Sequence, residues 1–136
     1  MIRPITRDEA LLRVPSRAAG VFDVPTADDL MDTLRANVAF CVGMAANMIG
    51  VPVAIIAFRN GNAYTEMFNP RIVARQEPYD AVEGCLSLAG ERPARRFRRI
   101  TVEWQTRSFE PKRAAFAGYT AQIIQHEIDH ISGILI

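Results

Sequence analysis

Histidine and cysteine are scarce in this chain: its 136 residues hold two of each and one tryptophan. So few cysteines exclude a disulfide-stapled secreted fold and leave a reduced, cytoplasmic protein as the expectation. Long hydrophobic runs are also lacking, so no segment reaches the length of a membrane span, and the N-terminus shows no basic-then-apolar leader pattern. Charge of one sign is lacking too. Lys and Arg total 16 against 15 Asp and Glu, a net charge of +1. That balance offers no electrostatic case for specific nucleic acid or for an acidic partner. No repeats, low-complexity stretches or linkers interrupt the chain. What is there is 49% apolar residues in a length typical of one domain, which predicts a single folded domain over residues 1–136 with a sizeable core.

Both histidines fall in one stretch, Gln125-His126-Glu127-Ile128-Asp129-His130. On an α-helix, residues four apart lie one turn above each other, so His126 and His130 present two imidazoles on one face. Glu127 stands beside them, where a carboxylate can take a proton from water activated by a cation. Ile124, Ile128, Ile131 and Leu135 follow the same helical period and are expected to be buried. Gly133 is placed to end the helix in a left-handed cap. The plainer alternative is a solvated helix face on which two histidines bracket an acidic pair. It fits poorly with so apolar a flank, and with both of the chain's histidines lying in the motif. Two imidazoles do not complete a metal site, and no Cys, His, Asp or Glu follows His130. The third ligand must come from upstream, where Cys41 and Cys85 are both candidates. Cys85 has the better setting, in Val82-Glu83-Gly84-Cys85-Leu86-Ser87-Leu88, because Gly84 lets the backbone bend beside the thiol. Cys85 is the expected ligand.

The remaining pattern predicts an α+β fold: antiparallel strands packed around one buried C-terminal helix. Thr6-Arg7-Asp8-Glu9 and Thr26-Ala27-Asp28-Asp29 read as capping boxes, each opening a helix. The second helix carries Leu30, Leu34 and Val38 on one stripe. Val51 to Phe58 and Ala63 to Phe68 read as strands joined at Asn60-Gly61. Asn69-Pro70 is expected to end the second of these. Arg92, Arg95, Arg96, Arg98 and Arg99 read as a solvated loop, with one arginine pairing with Glu83. Ile100 to Gln105 and Lys112 to Phe116 complete the strands, and Tyr119 opens the last helix.

Glu83-Gly84-Cys85-Leu86-Ser87 and Gln125-His126-Glu127-Ile128-Asp129-His130 together resemble the second and third signature motifs of the peptide deformylases. Cys41-Val42-Gly43-Met44-Ala45-Ala46-Asn47-Met48 is similar to the first, Gly-φ-Gly-φ-Ala-Ala-x-Gln. It departs twice: Cys41 stands for the first Gly and Met48 for the Gln. The likeness spans residues 37 to 136. It implies a metal-dependent hydrolase that removes the N-formyl group from formyl-methionine on nascent chains, a step of protein biosynthesis and N-terminal methionine processing. It implies Fe2+ as the physiological metal, although imidazole and thiolate donors suit Zn2+, Ni2+ and Co2+ as well.

The resemblance also assigns roles. Cys85, His126 and His130 hold the metal, and Glu127 passes protons to the leaving amine. The backbone N–H of Leu86 faces the oxygen that gains charge. The backbone around Gly43 and Met44 pairs with an extended substrate, and Arg92 meets the substrate's later side chains. An apolar methionine pocket is expected to involve Ile124 and Ile128. Met48 cannot donate as the family's Gln does, and losing one such donor costs on the order of 100- to 1,000-fold in rate. The chain has no tail after the third motif for docking on the ribosome. Two other readings remain: a degenerate member that binds formyl-Met peptides with little turnover, and a metallo-amidase acting on another small amide. An intact Glu127 favours hydrolysis over mere binding.

Overall fold

The unbroken apolar run ending at Phe58 forms strand β2 (Ile55–Asn60) in the computed structural model, which describes residues 1–136. Ile55 and Ala57 enter one apolar cluster while Ile56 and Phe58 enter another. A strand covered on both faces needs no polar alternation, so its sequence reads as continuous. Around it lie β1 (Gly43–Ala45), β3 (Ala63–Cys85), β4 (Leu88–Gln105) and β5 (Pro111–Ala117), antiparallel in the order β1-β2-β3-β4-β5. Helices α1 (Glu9–Leu12) and α2 (Val24–Ala36) cover one face through Leu12, Leu30 and Leu34. Helix α3 (Gly118–Ile131) covers the other through Ile123, Ile124 and Ile131. The expected architecture, antiparallel strands around a C-terminal helix, is the observed one.

Five local expectations are corrected. The N-cap of α1 is Asp8, whose carboxylate accepts from Ala10 N and Leu11 N, while Thr6 Oγ1 accepts from Asp8 N instead. Thr26 lies inside α2, which starts at Val24 with Pro25 in its first turn, where a missing N–H costs nothing. Val38 falls beyond the end of α2 at Ala36. Asn69-Pro70 does not end a strand: β3 runs through it on a bulge between Phe68 and Arg71, with Asn69 at φ 51°. Asn tolerates that left-handed backbone, and its carboxamide is anchored to both Ala19 backbone groups and to Gln105. The arginine run is not a loop either. It lies within β4, where Arg95 pairs with Asp80, Arg99 pairs with Glu77, and Arg98 lies over the Tyr79 ring.

The end of α3 is clasped from the N-terminal side. Ser16 N donates to Ile131 O at 2.8 Å. Gly133 takes the left-handed conformation expected of it, at φ +80°, and a Cβ there would collide with the Arg13 carbonyl oxygen. Gly133→Ala therefore meets both backbone strain and a backbone clash. It is expected to destabilise the protein by about 2–4 kcal/mol, readable as a drop of roughly 10 °C in the thermal midpoint.

Candidate active site

The helical spacing brings the two imidazoles together as expected: His126 Nε2 and His130 Nε2 are 3.1 Å apart. Cys85 reaches them because Leu86 and Ser87 reverse the chain between β3 and β4, with Cys85 paired to Leu88. The ladder shifts register between Gly84 and Cys85, the bend that Gly84 suggested. Cys85 Sγ lies 3.3 Å from His130 Nε2, and the three donor atoms all fall within 4.8 Å of one another. His130 is fully buried and His126 nearly so. Three soft-to-intermediate donors converging at this spacing suit a tetrahedral cation with an open fourth position. Cys41 stays outside the trio. Its thiol donates to the Gly43 carbonyl at 2.8 Å, and burial, reinforced by the charge of Glu127, pushes it up to about 12.

Behind the donors stands a buried ionic network. Glu83 Oε1 accepts from His126 Nδ1 at 2.9 Å and from Arg96 Nη2 at 2.7 Å. Its Oε2 accepts from Arg96 Nε at 2.9 Å and from Gln122 Nε2 at 2.8 Å. Arg96 then reaches Asp129 at 2.6 Å. Burial alone would raise the Glu83 carboxyl, but bonds from His126, Arg96 and Gln122 hold it at about 2. A carboxylate on Nδ1 holds that nitrogen's proton and orients the ring so that Nε2 is the nitrogen that could serve a cation. The sequence called for one arginine beside Glu83, and it is Arg96. It gave no sign that Glu83 also orients His126. Gln125 was likewise unassigned: its carboxamide pairs with both Phe97 backbone groups at 2.8 Å, docking α3 against β4.

Glu127 is nearly fully buried, and its Oε1 has no partner among the protein atoms. Burial raises its carboxyl to about 7. Its neighbour is Gly43, on the edge strand β1. A Cβ at Gly43 would lie 2.7 Å from Ile123 Cγ2 and 2.9 Å from Glu127 Oε2, so only glycine lets strand and carboxylate approach this closely. Cys85, Leu86, His126, Glu127, Met48 and Ile123 line one cavity of about 470 Å³. Ile123 is its apolar wall from α3. Ile124 and Ile128 pack instead with the second core cluster, a correction that follows from helix phase, since residue 123 lies one turn below Glu127.

These features sit in a chain whose residues 2–136 match the family model described as polypeptide deformylase. The chain belongs to that family. It is 48% identical over 136 residues to the peptide deformylase of Clostridium beijerinckii, covering 100% of both chains. Its fold is similar to the crystal structure of a peptide deformylase from Legionella pneumophila, with 30% identity, a TM-score of 0.87, and coverage of 99% of this chain and 83% of that one. It is similar too to a class I type b peptide deformylase from Acinetobacter baumannii bound to Met-Ala-Ser, at 26% identity and a TM-score of 0.87, covering 99% and 97%.

The deformylase motif that varies here is the first. Met48 is buried against the cavity, and its Sδ accepts from Ala45 N at 3.5 Å. Asn47 turns away and donates to His130 O at 2.8 Å. Met44 is buried opposite Ala57, and β1 has no strand on its other side. Arg92 stands opposite Glu83 in the β3–β4 ladder, outside the cavity lining, with its guanidinium on the Ala89 carbonyl at 3.4 Å.

Proposed function

We propose that this chain hydrolyses the N-formyl group of formyl-methionine at the N-terminus of newly made polypeptides, releasing formate and a free amine. The observation that carries the reading is the unpartnered buried carboxylate of Glu127, in one cavity with three convergent donors and beside a free strand edge. Cys85, His126 and His130 hold a divalent cation in this reading. Fe2+ is the proposed metal, with Zn2+, Ni2+ and Co2+ fitting the same donors. The cation supplies Lewis acidity and an activated nucleophile at neutral pH. Glu127 holds a proton at its free oxygen and delivers it to the leaving amine nitrogen. The Leu86 N–H donates to the formyl oxygen as it gains charge. The Gly43 and Met44 backbone adds the extended peptide to the open edge of β1. Arg92, outside the cavity, meets side chains beyond the first residue.

Residues 1–136 act as one domain in this reading. The place of action is the cytoplasm, on nascent chains, and no helix is long and apolar enough to cross a membrane. The deciding experiment is formate release from formyl-Met-Ala-Ser by protein loaded anaerobically with Fe2+. Metal-dependent turnover is expected, and none from a fully loaded site would overturn the proposal.

Met48 bears on the rate. Glutamine at this position keeps an acceptor for Ala45 N and adds an amide N–H facing the cavity. Met48→Gln is expected to raise kcat/KM on formyl-Met-Ala-Ser by about 100-fold. An unchanged value would show that no oxyanion donor is missing at this position.

A further inference from the structure

The two imidazoles at the donor cluster are supported unequally. His126 has Glu83 on its Nδ1 at 2.9 Å, whereas His130 Nδ1 is buried and bonds to no protein atom. His130 directs Nε2 toward Cys85 and His126. If that lone pair goes to a cation, Nδ1 must carry the ring proton and become a donor. A second buried group without a partner belongs to the residue already bonded to His130. Asn47 is fully buried, its Nδ2 donates to His130 O at 2.8 Å, and its Oδ1 has no partner. A carbonyl can only accept, so the NH2 of Asn47 must face His130 O. The carboxamide oxygen is thereby fixed as the orphan. One donor and one acceptor are thus left over, both buried, on two residues in contact. Buried groups of this kind are rarely left unpaired.

We propose that Asn47 is the positioning residue of His130. In the metal-loaded protein its Oδ1 accepts the Nδ1–H of His130, directly or through one buried water bonded to both. One side chain then fixes both the main chain and the ring of this ligand. A ligating histidine is generally held through its second nitrogen, and here the two supports differ in kind. His126 leans on a carboxylate and His130 on a neutral amide, which leaves His130 the less basic donor. The proposal rests on the metal-binding part of the function above but not on the substrate.

The chain's only two histidines make nuclear magnetic resonance of the imidazoles decisive. In 15N-labelled full-length protein loaded with Zn2+, two slowly exchanging Nδ1–H protons are expected. Asn47→Leu should shift or abolish the signal of His130, leave that of His126 in place, and speed Zn2+ release by about 10- to 100-fold. A folded, loaded Asn47→Leu protein with an unmoved His130 Nδ1–H would overturn the proposal. Should that variant fail to fold, Asn47→Asp keeps an acceptor and strengthens it. A downfield shift of the His130 proton supports the assignment, and an unmoved proton sinks it. Failure to bind Zn2+ at Cys85, His126 and His130 overturns this proposal together with the metal assignment. Absence of formate release from loaded protein in which the His130 signal responds to Asn47 would overturn only the substrate.

Discussion

Replacing Glu127 by Gln is expected to slow formate release by about 100- to 10,000-fold with the metal content unchanged. The substitution keeps the side chain's shape, so it preserves the close approach to Gly43. It removes only the ability to take up and deliver a proton. Glu127 Oε1 has no protein partner, so no structural bond is lost with the charge. That separates the role proposed for Glu127 from a role in holding the helix. Metal analysis and turnover on the same preparation check it. A fully active, fully loaded Glu127→Gln protein would remove Glu127 from the chemistry.

Cys85→Ala is expected to lower affinity for the cation by more than about 100-fold, beyond what loss of a supporting residue costs. The comparison that gives this its force is Cys41→Ala. Both thiols line one cavity, but only Cys85 lies within 4.8 Å of both imidazole donors. Cys41 is engaged with the Gly43 carbonyl, so its removal should leave metal content near that of the unaltered protein. Equilibrium dialysis of the two variants against Zn2+ tests the pair. Equal retention by both would break the assignment of Cys85 as ligand. Both cysteines are only partly buried and pack against the rim of the first apolar cluster without belonging to its buried core, so both variants should remain folded.

The donors were legible because their geometry is local. A helix places His126 over His130 whatever surrounds it, and Gly84 marks a place where the backbone can bend beside Cys85. The support behind the donors was not legible, because it depends on register across a long hairpin. Glu83 stands opposite Arg92 in the ladder, yet its partner is Arg96, farther along the same strand. Only the burial of Arg96 against α3, where Asp129 also receives it, distinguishes it from four neighbours of the same type. The helix starts show the same limit. Thr and Asp compete as caps within three residues, and Pro25 decides where α2 begins. At Asn69 the breaker signal was real, but side-chain bonds to Ala19 and Gln105 turned the break into a bulge.

The clasp on α3 has a consequence for how the protein comes into being. Residues 13–16 must meet residues 131–133, and Cys85 must meet a helix that begins at Gly118. Each closure spans a long stretch of chain, so its entropy is lost before any local contact offsets it. The two histidines of α3 have no Cys85 near them until β3 and β4 have paired. During synthesis the N-terminal helices and the β2–β3 hairpin are available early, while the donor cluster waits for the final helix. If the cation binds as proposed, competence to bind it waits for α3, and metal uptake would report on the docking of that helix.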